Sequence, residues 1–230
     1  MKFNRFARKV LVLVLFTASG VLAWSWPPIV IPKLYLIRYV DDGYTSTNCD
    51  GKDWGKNAFD NIQDAIDEAN ATNTIIVAPG TYAENVVISK HIWLVGAGSG
   101  STTVSPTSGD AISLRKGGKT LLRLRIQGLK LSAPGAGIAI PGGTAGSPMK
   151  IKHVVVEGVA IVDCGAQGIR VGDYTTLKNF TVKKSAITNI GANRQSADGI
   201  EIAGHTSVKD LSIESCTVTG NASGAGLQCR

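Results

Sequence analysis

Gly137-Ile138-Ala139-Ile140, Gly168-Ile169-Arg170-Val171, Gly199-Ile200-Glu201-Ile202 and Gly226-Leu227-Gln228-Cys229 are four versions of one tetrapeptide. Their first residues lie 31, 31 and 27 positions apart. Ala111-Ile112-Ser113-Leu114 and Asn85-Val86-Val87-Ile88 extend the series toward the N-terminus at a spacing of 26. In every copy the second place is aliphatic, and in all but the Cys229 copy so is the fourth. The third varies freely. Successive side chains of a strand alternate between faces, so this pattern puts an apolar pair on one side and the third residue on the other.

Between the tetrapeptides lie further strand-like segments. Leu122–Ile126, Ile151–Val156, Leu177–Val182 and Val208–Ile213 form one set. Gly128–Leu131, Val159–Val162, Ala186–Thr188 and Thr217–Thr219 form another, and Gly135, Gly165, Gly191 and Gly220 punctuate the units. A unit of three short strands has one apolar side and cannot bury it alone. Stacking units in parallel register makes aliphatic columns inside and backbone ladders between units. β-branched richness, period-two alternation and glycine punctuation argue against helical repeats of similar length. The fold class expected is all-β: a parallel β-helix, or solenoid.

The rest of the chain fits this frame. It has 230 residues, 43% hydrophobic and 18% charged, with 27 glycines and four cysteines. That is enough apolar material for a core, no Gly-X-Y period, and too few cysteines for a disulfide-stapled scaffold. Residues 1–23 hold the basic Lys2, Arg5, Arg8 and Lys9 followed by an apolar run from Val10 to Leu22. This is the pattern of a secretory signal peptide, too short for a comfortable membrane span, and it places the body outside the cytoplasm. The expected organisation is a signal peptide at 1–23, a linker at 24–35 and a β-helix domain at 36–230. No C-terminal cap is visible, which suggests a domain incomplete at that end. Without the first 23 residues, 20 basic residues face 17 acidic ones, a net charge of +3. With no Lys/Arg block in the sequence, that is no nucleic-acid footprint. Cys49, Cys164, Cys216 and Cys229 admit three complete pairings, and buried free thiols are the plainer reading.

Phe59, Ile62, Ala65, Ile66 and Ala69 share one helical face, so residues 57–70 read as a short amphipathic helix. Laid over the first coil, it would cover an apolar end and open strand edges.

The repeat resembles the right-handed parallel β-helix of the pectin-lyase-like superfamily over about residues 36–229. The most specific stretch is the entry: Tyr39-Val40-Asp41-Asp42, Asp50-Gly51-Lys52-Asp53-Trp54, the helix segment, then Thr74-Ile75-Ile76-Val77-Ala78-Pro79-Gly80-Thr81-Tyr82 and Ile92-Trp93-Leu94-Val95-Gly96. The resemblance implies a secreted protein that contacts extracellular or cell-wall polysaccharide, as a lyase-like or glycosidase-like enzyme. The alternative is a non-catalytic extracellular binding or cell-surface module. The groove it implies runs along the outward third places: Val87, Ser113, Ala139, Arg170, Glu201 and Gln228. Asp173, Tyr174 and His205 flank it, and Arg170 and Glu201 are expected side by side, about 4.8 Å apart.

Ser196-Ala197-Asp198-Gly199-Ile200 resembles the Asn-Thr-Asp-Gly-Ile segment of polygalacturonase-type glycosidases, which makes Asp198 a catalytic candidate beside Glu201 and Arg170. The paired carboxylates that such chemistry needs are missing one coil later, where Thr219-Gly220-Asn221-Ala222 stands. Asp110 occupies the same point of another coil, so a turn role serves both aspartates. Pro79–Glu84 is similar to the entry of pectinesterases, but that family's catalytic motifs do not occur. Asp41, Asp42, Asp50 and Asp53 are candidate ligands for a Ca²⁺ ion, which wants several oxygens together.

Overall fold

The computed structural model describes residues 36–115, 120–191, 197–220 and 226–229. The expected signal peptide and linker lie outside the described residues. The entry comprises β1 (Ile37–Val40), β2 (Ala58–Phe59), α1 (Ile62–Glu68), β3 (Thr74–Val77), β4 (Gly80–Tyr82), β5 (Val86–Ile88), β6 (Trp93–Gly96) and β7 (Thr102–Val104). A three-strand unit then recurs: β8 (Ile112–Leu114), β9 (Thr120–Gln127), β10 (Lys130–Leu131); β11 (Ile138–Ile140), β12 (Met149–Glu157), β13 (Ala160–Val162); β14 (Ile169–Val171), β15 (Thr175–Lys183), β16 (Ala186–Thr188); β17 (Ile200–Ile202), β18 (Ser207–Glu214), β19 (Thr217–Thr219); and β20 (Leu227–Cys229).

The strands form three parallel sheets. The repeat sheet, β5-β8-β11-β14-β17-β20, contains the tetrapeptides. The long sheet runs β2-β1-β3-β6-β9-β12-β15-β18, and the third sheet β4-β7-β10-β13-β16-β19. The fold is the parallel β-solenoid that the repeat predicts. Register agrees residue for residue: Ile112 pairs with Ile138, Ile138 with Ile169, Ile169 with Ile200 and Ile200 with Leu227. Ile112, Ile138 and Ile169 have no exposed surface. Each fully buried aliphatic side chain contributes about 1.5–3 kcal/mol, so these columns are the main source of stability. Leu124, Val154 and Phe180 build a matching column in the long sheet, and Leu131, Ile161 and Ile187 in the third.

The corners stack as strictly as the columns. Arg123, His153, Asn179 and Asp210 occupy one register position midway along successive long strands, all with φ between 53° and 60°. Gly128, Gly158, Lys184 and Ser215 likewise recur at one point between the long and third sheets, with φ between 50° and 64°. A left-handed residue repeated at one place in each coil bends each strand at the same point and so preserves the ladder. Elsewhere glycine is needed for close approach. A Cβ on Gly168 would lie 2.4 Å from Ile187 Cγ2 and 2.5 Å from the Gly199 carbonyl oxygen.

The cap is shorter than the 57–70 helix expected from periodicity. Ala58 and Phe59 form β2 and pair with Tyr39 and Val40, so the helix starts only after Asn61. The Asn61 side chain accepts the Asp64 N–H at 2.8 Å, and the Glu84 carboxylate accepts those of Ile62 and Gln63 at 2.7 and 2.8 Å. Ala69 is already extended and closes the other end. Ile62, Ala65 and Ile66 are fully buried against the first coil. Arg38 sits in the inner column with Ile75, buried, and donates to the Glu68 carbonyl at 3.1 Å, satisfying a helix-end acceptor.

Candidate functional site

The outward third places of the repeat sheet form the expected row, with Val87 opposite Ser113, Ser113 opposite Ala139, Ala139 opposite Arg170, Arg170 opposite Glu201 and Glu201 opposite Gln228. Arg170 and Glu201 stand side by side as expected, yet each has another polar partner. Arg170 reaches back two coils, and its guanidinium meets the Asp110 carboxylate at 3.2 Å. Glu201 accepts from the Gln167 side-chain amide. The reason lies in side-chain length. Ala139 leaves the neighbouring coil low, so the long Arg170 side chain can lie across it, and both Ala139 and Ser113 are buried on this outward face. The sequence marks Asp110 only as a turn residue and Gln167 not at all. No local signal marks either as a partner of residues 60 and 34 positions away.

Asp110 also does what a turn aspartate does: its other oxygen accepts the Ala136 N–H at 2.8 Å. Asp198, at the equivalent point two coils beyond Ala136's, is buried, 1% exposed, and its carbonyl accepts the Gly168 N–H. Its carboxyl therefore lies beneath the surface of the row, whereas Arg170 and Glu201 are partly exposed.

Asp173, Tyr174 and His205 come together where the repeat sheet passes into the long sheet. The Tyr174 and His205 rings stack, with centroids 4.8 Å apart and planes 14° from parallel. Asp173 Oδ1 lies 3.3 Å from both His205 Nδ1 and the His205 backbone N–H. Tyr174 sits at φ 51°, a left-handed corner residue. These groups present an aromatic face, a carboxylate and an imidazole to solvent, one coil-corner from Arg170. On the opposite corner, between the third and repeat sheets, a groove of about 490 Å³ is lined by residues that include Ser105, Thr107, Ser132 and Asp163.

In the entry loop Asp41 and Asp50 serve separate local bonds. Asp41 accepts from the Gly43 N–H at 2.9 Å, and Asp50 accepts from the Tyr44 hydroxyl at 3.0 Å and faces Lys52. Asp42 lies against Gly80, and the Asp53 carbonyl accepts the Lys56 and Asn57 N–H groups. Among the described residues no three His, Cys, Asp or Glu side chains gather as metal ligands. The four cysteines are free thiols; Cys164 is buried, and burial pushes its thiol up to about 11. No helix of the described residues is long and apolar enough to cross a membrane.

No family model and no curated protein sequence matches the chain. Its fold is similar to that of ORF18 of Geobacillus virus E2, at 16% identity and TM-score 0.55, over 67% of this chain and 32% of that one. It is also similar to the A-module of the Azotobacter vinelandii mannuronan C-5 epimerase AlgE4, at 19% identity and TM-score 0.53, over 73% of this chain and 47% of that one. The chain thus spans about a third of the first of these proteins and just under half of the second. Such likeness concerns the architecture alone, a parallel β-solenoid.

Proposed function

We propose that this chain is a secreted solenoid that binds an acidic polysaccharide along the outward row of its repeat sheet. The observation that carries this reading is the polar strip Arg170, Asp110, Gln167 and Glu201, ending at the stacked Tyr174–His205 pair. Flat rings stack on the apolar faces of pyranose sugars, and a half-exposed guanidinium recognises carboxylates through paired N–H donors. The Arg170–Asp110 pair, 43% and 17% exposed, is worth no more than about 1 kcal/mol, so it can open to a ligand at little cost. The mannuronan C-5 epimerase, named for an acidic polysaccharide, has the same architecture, which supports the substrate class by analogy.

Signal peptide, linker and solenoid at 1–23, 24–35 and 36–230 belong to the same proposal. Binding is the primary role proposed. Catalysis would require a proton-transfer pair, for which the candidates are Glu201 and the Asp173–His205 contact at the surface, with Asp198 buried below. The test is retardation of the full chain in gels containing polygalacturonate or mannuronan, with a parallel absorbance assay for unsaturated products with and without Ca²⁺. Retardation that falls at least tenfold in Arg170→Ala and Tyr174→Ala is expected. Unchanged mobility in both acidic glycans overturns the proposal, and product formation adds a lyase activity to it.

A further inference from the structure

The outer face of the long sheet carries a charge pattern that no stretch of sequence displays. Strands β9, β12, β15 and β18 contain seven Lys or Arg and three Asp or Glu, and their inward places are apolar, so these charges face outward. Lys152 pairs in register with Lys178, and Lys178 with Lys209, giving three lysines in one column one strand spacing (~4.8 Å) apart. Like charges directly opposite each other across strands are destabilising. Among the described residues none of the three forms an ion pair. The carboxylates of this face lie elsewhere: Glu157 is held by Arg125, Lys183 and Lys184, Glu214 accepts from Ser212, and Asp210 stands at the corner position beside Lys209.

Beside the lysine column lies a pocket of about 260 Å³ lined by Trp93, Arg123, Leu124, Arg125, His153 and Val155. Trp93 is 50% exposed, and the Arg125 guanidinium lies 5.9 Å from its ring centroid. Arg123 is exposed and forms no ion pair among the described residues. An exposed indole, two arginines and a histidine over an apolar floor make a site for a sugar ring bearing an acid group. The lysine column runs along the stacking direction three residues away along the strands, across the Arg123–His153 bend.

We propose that this face is a second glycan-binding surface, separate from the repeat-sheet row. An acidic polysaccharide crosses the face obliquely, with one sugar ring on Trp93 and its carboxylates over the column Lys152, Lys178 and Lys209. Bound carboxylates remove the repulsion within the column, which is the physical reason such a column persists. A single ring-stacking position with an evenly spaced charge track suits one extended glycan chain better than single-stranded nucleic acid, which uses several aromatic platforms in series. The proposal shares the substrate class of the repeat-sheet reading but uses none of its residues.

The experiment measures binding of the full chain to polygalacturonate, to fully methyl-esterified pectin and to single-stranded DNA at several salt concentrations. It compares wild type, the triple variant Lys152→Ala, Lys178→Ala, Lys209→Ala, the single variant Trp93→Ala, and Arg170→Ala. Placed in an Arg170→Ala background, which leaves only this face, the triple variant is expected to bind polygalacturonate at least tenfold more weakly, with a flatter salt dependence, since fewer exposed charges are screened. Its melting temperature should be equal to or above that of wild type, because the repulsion is gone. Trp93→Ala should weaken binding severalfold while leaving the salt dependence intact. Unchanged polygalacturonate affinity of the triple variant in the Arg170→Ala background overturns the proposal, as does equal affinity for esterified pectin or tighter binding of DNA. Arg170→Ala separates the two faces: loss there with the triple variant unaffected keeps only the repeat-sheet site, and the reverse keeps only this one. A triple variant that melts below wild type is replaced by Lys178→Gln, for which a severalfold loss is expected and unchanged affinity is again decisive against the proposal.

Discussion

The two ends of the described stack are made from the same kinds of residue and differ sharply in exposure. At the entry, Ile62, Ala65 and Ile66 of α1 seal the first coil, and Ile75 and Leu94 beneath them have no exposed surface. In the last described coil, Val208 is 40% exposed, Ile213 38% and Leu227 46%, although each stands in register with a buried partner one coil earlier. A solenoid residue is therefore buried by its neighbours on both sides rather than by its own coil. Its energetic weight depends on its place in the stack, as expected where stability is a sum of units and nearest-neighbour interfaces.

The strongest way to break this comparison is Ile169→Ala in the middle of the stack. It should cost about 2–5 kcal/mol in denaturant unfolding, because the site is packed above and below. A loss under about 1 kcal/mol would show that the columns do not carry the fold. The companion change Leu227→Ala should cost less than about 1 kcal/mol, since nearly half of that side chain is already in water. Gly168→Ala comes next, at about 1–3 kcal/mol, through the collision of the new methyl with Ile187 and the Gly199 carbonyl. At the capped end, Asn61→Ala should lower stability by about 1 kcal/mol by freeing the Asp64 N–H.

Smaller effects concern protons and thiols. Burial raises the Glu84 carboxyl above its ordinary range, outweighing the opposing pull of the Ile62 and Gln63 N–H groups. The folded state thus holds this proton more tightly than the unfolded one. The stabilisation that Glu84 confers is complete below the ordinary carboxylate range and declines as pH rises through it toward the raised value. Melting curves across that window should show a slope that Glu84→Gln removes. Finally, an alkylating reagent near neutral pH should label the exposed Cys229 quickly and leave Cys164 protected, since its thiol titrates at about 11 and is buried. Equal rates would mean that the middle of the stack opens as readily as its last coil.

Why some features were legible in sequence follows from their range. Six tetrapeptides with aliphatic second places specify which residues share a column, because alternation and spacing leave one register that buries them all. The helix starts later than periodicity predicts, because the periodicity of Phe59 continues into α1 while pairing with Val40 claims that residue for a strand. The Arg170–Asp110 contact and the lysine column were invisible. Their members are 60 residues apart in the first case, and 26 and 31 apart in the second, and each looks like an ordinary exposed charge in its own segment.

Period and alternation alone determined the parallel stack, its inward columns and the outward row, because the hydrophobic effect acts on a pattern the chain itself spells out. Only the tertiary structure decided which polar groups meet. Stacking at one strand spacing brings distant coils within reach, and side-chain length and the size of the intervening residue then select the partners. That is how Arg170 crosses Ala139 to Asp110, and how lysines scattered along the chain become one charged face.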